Sequence, residues 1–345
     1  VIRTAHELLE DLLAGRDLGE TGGAMLLRRL ADVGLAPAQA GALLAALQSK
    51  GVCAAELRGM TRAMRELARH PQVPPGSPVI DVVGTGGDAS GSFNLSTGTA
   101  LLVAACGARV VKHGNRAVSS RAGSADVLEA LGLVLPLDEV AAMRCLDACG
   151  FTFLFAPHYH PAMKAIAPVR AALGVRTVFN ILGPLTNPAT PAFHLIGAFD
   201  VDTARLIADT LAGFDGERAF VVHGANGWDE PVPTGPFHLF DARAGRVTEQ
   251  VRTPADYGLA TCHPQQLIGG DARHNAGALR AVLLGTDAGA HLDALLLGAS
   301  LALELLGEVA SPRAGVARAR SAIASGAAAR VLSRLHEFSR ASVAS

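Results

Sequence analysis

Apolar residues in the first part of the chain recur at three- and four-residue intervals: Leu26, Leu27, Leu30 and Val33, then Leu43, Leu44 and Leu47. That spacing puts each set on one helix face. It predicts helices over 5–14, 22–33, 37–49 and 54–68, which bury their stripes against one another as a small bundle. Pro71, Pro74, Pro75 and Pro78 cannot extend the last helix, so a stiff linker should follow. Beyond it the pattern changes. Short β-branched or aromatic runs at 79–83, 109–112, 151–155, 195–199 and 219–222 read as strands, with helical stretches such as 100–106, 125–131 and 141–149 among them. Such alternation predicts an α/β fold whose central sheet is mainly parallel and covered by helices. The expected organisation is a helical domain over 1–75, joined by helices from about 160–185, and an α/β domain over 76–345.

Two of the strand ends carry unusual turns. The run Val79-Ile80-Asp81-Val82-Val83 stops at Gly84-Thr85-Gly86-Gly87-Asp88, where glycine lets backbone amides come close to a ligand. Asn94, Ser96 and Thr97 then offer capping side chains to a helix whose free N–H groups would face the turn. Loop amides, helix dipole and small hydroxyls together make an anion site of the phosphate-holding type. The second run, Arg109 to Lys112, leads into a basic, hydroxyl-rich loop from His113 to Gly123, after which Ser124 is placed to cap a helix closed by Gly132. Two such turns side by side suit a ligand with phosphate at both ends. Gly84 to Ala89 also fits the loose dinucleotide pattern G-x-G-x-x-A. That reading needs an acidic residue at the end of the second strand to hold a ribose, and Lys112 and His113 stand there instead.

Composition narrows the partners. Half the residues are apolar, which excludes a disordered chain, and aromatics at 4% argue against stacked-base recognition. A net charge of −1 provides no global field for a polyanion, so no nucleic acid is expected and cationic character must be local. The five cysteines are odd in number and set mostly among apolar residues, as suits reduced thiols in a cytoplasm. Cys145 and Cys149 share a helix face without further ligands nearby and read as core. The longest apolar tract, 294–306, is interrupted by Glu304 and too short to span a bilayer, and 1–13 lacks a secretory pattern, so no membrane association is expected. Only Lys50, Lys112 and Lys164 among 30 basic residues are lysine. Two of these fall in the motif regions, where a compact ammonium suits better than arginine's planar fork.

Further chemistry lies downstream. His158 and His160 can be read as metal ligands or as a pocket wall, and the absence of a nearby carboxylate favours the wall. Arg170, on a helix bearing Ile166 and Val169, can offer a bidentate donor to a planar carboxylate or lie solvated on the surface. Arg176 reads as a residue that ties down helix ends. Asp229-Glu230 follows an apolar strand and a glycine turn. Alone such a pair is a solvated loop; beside a pyrophosphate it becomes a site for a hard cation, Mg²⁺.

The segments 81–88, 94–97, 112–120 and 123–132 resemble the motifs of the anthranilate phosphoribosyltransferases, and the similarity runs from about residue 5 to about 335. The resemblance implies a nucleoside phosphorylase/phosphoribosyltransferase-like fold, and transfer of the phosphoribosyl group of 5-phosphoribosyl 1-diphosphate to the amino group of anthranilate. It places the donor against Gly84, Gly87, Asp88, Ser92, Asn94, Leu95, Ser96, Thr97, Lys112, His113, Gly114, Asn115, Arg116, Ala117, Val118, Ser119, Ser120 and Ser124. Anthranilate falls to Gly84, Asn115 and Arg170, and Mg²⁺ to Ser96, Asp229 and Glu230. Lys112, Asp229 and Glu230 would stabilise the departing diphosphate, and the helical domain would form a homodimer. Two features depart from the family pattern: Pro231-Val232-Pro233 after the acidic pair, and Gly298 where asparagine is common. A related nucleoside phosphorylase and a non-catalytic nucleic-acid-binding relative are the rival readings.

Overall fold

The computed structural model describes residues 3–74, 78–117 and 121–343. Four helices come first: α1 (Ala5–Leu13), α2 (Gly19–Leu30), α3 (Pro37–Lys50) and α4 (Ala54–Glu66). The second runs from Gly19 to Leu30, not 22–33: Gly22 and Gly23 lie inside it, buried, while Val33, counted in its stripe, falls past its end and is exposed. A Cβ on Gly23 would meet the Glu56 carbonyl at 2.3 Å, and one on Gly59 the Glu20 carbonyl at 1.9 Å. These glycines let α2 and α4 touch backbone to backbone.

The sheet follows. Its strands are β1 (Val79–Gly84), β2 (Arg109–Gly114), β3 (Phe151–Phe155), β4 (Phe193–Gly197), β5 (Arg218–His223), β6 (Phe237–Arg243) and β7 (Arg246–Arg252). Between and after them run α5 (Leu95–Ala105), α6 (Ser124–Ala130), α7 (Glu139–Cys149), α8 (Ala156–Tyr159), α9 (Ala167–Leu173), α10 (Phe179–Leu182), α11 (Val201–Ala212), α12 (Ala272–Leu283), α13 (Ala290–Leu305), α14 (Pro312–Ala324) and α15 (Ala327–Val343). The strand order is β3-β2-β1-β4-β5-β6-β7, the first five parallel and the last two antiparallel. The mainly parallel sheet expected from the sequence is therefore present, with an antiparallel hairpin added at one edge. That hairpin turns at Ala244 and Gly245, both left-handed with φ of 49° and 76°.

Side chains of the central strands divide between two cores, as the two-residue period of a strand requires. Leu195, Phe220, Val222, Phe237 and Leu239 join α5, α6 and α12–α15 on one face. Ile196, Ala219, Val221, Phe240 and Ala242 join α11, the four N-terminal helices and Ile166, Val178, Phe179, Leu182 and Leu185 on the other. The 166–185 segment thus shares its core with the bundle. Arg65 of α4 also crosses to the sheet, donating to the Leu185 carbonyl at 2.9 Å and to Glu217 at 2.6 Å, while His194 of β4 contacts the same carboxylate at 2.8 Å.

Helix α13 carries the apolar tract of 294–306, and Leu295, Leu296, Leu297, Leu301 and Leu303 are all buried in it. No helix among the described residues is long and apolar enough to cross a membrane. Gly298 lies where a Cβ would meet the Thr99 hydroxyl at 2.5 Å, so Thr99 of α5 occupies the room a larger side chain would need. All five cysteines are free, and Cys145 donates to the Phe151 carbonyl within the core.

Candidate active site

β1, β2 and β3 step outward in one direction and β4 to β7 in the other, so the order reverses between β1 and β4. Open sheets of this kind bind ligands in the crevice beyond the carboxyl ends at such a reversal. A cleft of about 620 Å³ opens there. Its walls hold Gly84, Gly87, Asp88, Ser92, Asn94, Leu95, Ser96 and Thr97 from the first turn, and Lys112, His113, Gly114, Asn115, Arg116 and Ser124 from the second. Arg170, Asp229 and Glu230, distant in sequence, face the same space.

Glycine is what lets the acidic loop reach it. A Cβ on Gly197 at the end of β4 would sit 1.6 Å from the Asp229 carbonyl oxygen, and one on Gly84 would sit 2.5 Å from the Asp229 carboxylate. Asp229 accepts from the Gly86 amide, and its own amide donates to Asp88 at 3.2 Å. Glu230 accepts from the Ser96 amide at 3.1 Å, occupying a free N–H at the start of α5. Pro231 and Pro233 leave this geometry in place: Val232 between them is buried, and the Pro233 carbonyl accepts from Cys262 at 2.7 Å.

The electrostatics are concentrated. Burial first, then Glu230 and Asp88, push the Asp229 carboxyl well above the usual carboxylate range. Burial raises Glu230 to about 7 against the opposing pull of Lys112. Three carboxylates turned on one another want a cation. Lys112 is buried between them and Asp81, donating to the Val82 carbonyl and to the Ser96 hydroxyl. Desolvation lowers its pKa, and Asp81, Glu230 and Asp229 oppose that shift. Asp81, also buried, accepts from Asn187 at 2.8 Å and from the His113 amide at 3.2 Å.

Several expectations need correction. Asn94 does occupy the N-cap of α5, but its side chain makes no capping bond; it donates to the Ala122 carbonyl at 3.1 Å and accepts from Asn275 at 2.9 Å. Ser124 lies inside α6, where the cap role falls to Asp126, which accepts from the Gly123 and Ala117 amides at 2.9 and 3.0 Å. Ala117 thus gives its amide to Asp126. The Arg116 guanidinium, at the cleft wall, is held by Asp126 and Glu129 at 2.9 and 2.6 Å. Val118, Ser119 and Ser120 lie outside the described residues. Arg176 does not tie down a helix end; it donates to the Gly87 carbonyl.

On the opposite wall, Arg170 stacks on Phe179 with its guanidinium carbon 4.9 Å from the ring centroid. Among the described residues, Arg121, Lys164 and Arg170 line the cleft without a carboxylate partner. His113 and His160 pack edge to face at 5.0 Å, and burial keeps both imidazoles neutral, His160 down to about 4. They form wall, and neither joins a group of metal ligands among the described residues. Asp81, Asn187 and Asn275 were not singled out from the sequence; Asp81 alone gave a signal, as a carboxylate inside an apolar strand.

Residues 6–68 match the family model described as the helical bundle domain of a glycosyl transferase family, and 76–329 match its a/b domain. An anthranilate phosphoribosyltransferase of Rubrobacter xylanophilus is 44% identical over 335 residues, 97% of each chain. That of Desulforudis audaxviator is 45% identical over 334 residues, 96% of each. The crystal structure of the Thermus thermophilus enzyme superposes with a TM-score of 0.90 at 42% identity, covering 96% of this chain and 99% of that one. A yeast anthranilate phosphoribosyltransferase in complex with PRPP and Mg shares the fold, with a TM-score of 0.89 at 24% identity over 98% of each chain. By identity over nearly its whole length, the chain belongs to the anthranilate phosphoribosyltransferase family.

Proposed function

We infer that the cleft transfers the phosphoribosyl group of 5-phosphoribosyl 1-diphosphate to the amino group of anthranilate, releasing diphosphate. The observation that carries this reading is the meeting, at one sheet reversal, of two amide-rich turns, an acidic pair and an arginine without a carboxylate partner. The turns after β1 and β2 surround the donor, and Arg170 with Asn115 and Gly84 orients the acceptor's carboxylate and ring.

As the bond from C1 of the ribose to the diphosphate oxygen breaks, the electron pair leaves with diphosphate and C1 takes on oxocarbenium character. The aniline nitrogen gives its lone pair to C1 and then sheds a proton. Anthranilate nitrogen is weakly basic, so holding it in line matters more than deprotonating it beforehand. Lys112 and the loop amides stabilise the departing charge; a unit pair at 4 Å is worth about 4 kcal/mol at an effective dielectric near 20. Asp229, Glu230 and the Ser96 hydroxyl are hard oxygen donors whose crowding raises the carboxyl pKa values, the environment a divalent cation would relieve. They would hold Mg²⁺, which when bound supplies positive charge to the diphosphate oxygens. Loss of anthranilate fluorescence that requires both donor and Mg²⁺ is the expected assay result; donor-independent loss, or none, overturns the reading.

Arg170→Ala should raise the anthranilate KM by about 10- to 100-fold, the worth of a charge-assisted carboxylate contact, while the donor KM moves little. Equal changes in both would remove Arg170 from the acceptor site. A homodimer through the helical unit belongs to the same reading, and the exposed apolar side chains Leu13 and Val33 of that unit suit such a contact. Sedimentation at micromolar concentration should give a dimer; a monomer removes this part.

A further inference from the structure

The glycine turn after β1 is held from two sides. Gly86 and Gly87 both have left-handed φ, 70° and 75°, so the shape of the turn depends on its contacts more than on its own preference. On the inner side Asp229 accepts from the Gly86 amide and Asp88 accepts from the Asp229 amide. On the outer side the Arg176 guanidinium donates to the Gly87 carbonyl while stacking on Phe199, 4.2 Å from its ring centroid. Phe199 lies just past the end of β4, so the arginine is braced against the sheet as it reaches the turn.

Arg176 also belongs to the acceptor arm. It stands just past Gly174, whose left-handed φ of 63° ends α9, the helix that carries Arg170. Shortly after it comes Phe179, the ring on which Arg170 lies. One short segment thus joins the guanidinium facing the acceptor to the hydrogen bond on the donor turn.

We propose that Arg176 is a positioning residue that latches the donor-binding glycine turn to the acceptor-binding arm, so that binding of either substrate favours binding of the other. This rests on the assignment of the two sites above. A latch of this kind is reciprocal: whatever factor the donor adds to acceptor affinity, the acceptor adds to donor affinity. Arg176 is exposed, so its contribution to the fold is small and its effect should appear in the coupling.

The test uses the full chain and 2-hydroxybenzoate, which keeps the carboxylate and ring of the acceptor but lacks the nucleophilic nitrogen. Its affinity is measured with and without saturating 5-phosphoribosyl 1-diphosphate and Mg²⁺. In the parent protein the donor should tighten 2-hydroxybenzoate by about fivefold or more. In Arg176→Gln that factor should fall to about one, with the donor-free affinity within about twofold of the parent. The same variant should raise the donor KM by about tenfold at an unchanged melting temperature. Arg176→Lys, which can still donate to the Gly87 carbonyl, should recover part of the coupling, and Phe199→Leu should lose part of it. A parent protein that transfers phosphoribose but shows no coupling, or an Arg176→Gln variant that keeps it, overturns the latch alone. A parent protein that binds neither ligand overturns the functional reading and the latch with it.

Discussion

Replacing Asp229 by asparagine and Glu230 by glutamine together should lower kcat/KM by a factor of about 1,000 or more while leaving the protein more stable, not less, at pH 8 without divalent cation. The two halves of this result have one cause. In the fold, burial and mutual repulsion hold both carboxyl groups above their ordinary pKa values, Glu230 at about 7. A carboxyl whose folded pKa exceeds its unfolded one adds stability fully present below the unfolded value and lost as pH rises through the folded value. For this pair the window runs from about pH 4 to beyond 7. The parent protein without Mg²⁺ should therefore lose melting temperature across that range, and the double amide variant should show a flatter profile. Mg²⁺ should restore more to the parent at pH 8 than at pH 5, and little to the variant. Activity within about tenfold of the parent, or identical pH profiles of melting, would show that the pair neither carries the leaving-group charge nor bears the strain assigned to it.

How much of this was legible beforehand depended on whether the signal was local. Strand runs ending in glycine, such as 79–84, announce both their structure and the turn beyond, because burial and close approach leave a mark in the residues themselves. The cleft could be outlined for the same reason. Hydrogen bonds between segments leave no such mark. Nothing in the Asn187 neighbourhood reveals that it donates to Asp81, or near Asn275 that it holds Asn94. Nor does the basic loop show that Arg116 pairs with Asp126 and Glu129, or that Ser124, inside α6 and not capping it, donates to the Asn115 carbonyl. The edge hairpin β6–β7 did carry a readable pattern in Phe237 to Arg252, with a turn at Ala244-Gly245, but it passes unnoticed when only parallel units are sought. Two of the three lysines, Lys50 outside the motif regions and Lys112 within them, are each ringed by oxygens. Lys50 is clasped by Asp17, the Gly51 carbonyl and Glu56 at 2.6, 2.7 and 3.0 Å, and Lys112 lies in a similar oxygen cage.

That cage makes Lys112→Met the substitution with the broadest consequences. Methionine fits the slot, so packing is nearly kept, but the charge that faces Asp81 on one side and Asp229 and Glu230 on the other is gone. Breaking a buried charge pair by removing one member typically costs about 3–5 kcal/mol, because the remaining charge has no compensation. Asp81 is fully buried and already raised by desolvation, with Lys112 the largest influence in the opposite direction. Without the lysine its carboxyl should rise further, so the sign is fixed: the stability deficit of the variant grows as pH increases and shrinks toward pH 5. Asp81→Asn in the same chain should recover much of the loss, since an amide can occupy the position beside Asn187 without a charge to desolvate. Catalysis should not recover with it. The double variant would fold yet lack the ammonium proposed to meet the departing diphosphate, leaving kcat about 100-fold or more below the parent. Melting curves at pH 5 and pH 8 separate the two roles of the lysine. If Asp81→Asn restores turnover together with stability, Lys112 serves only the fold; if it restores neither, the buried carboxylate is not what the lysine neutralises.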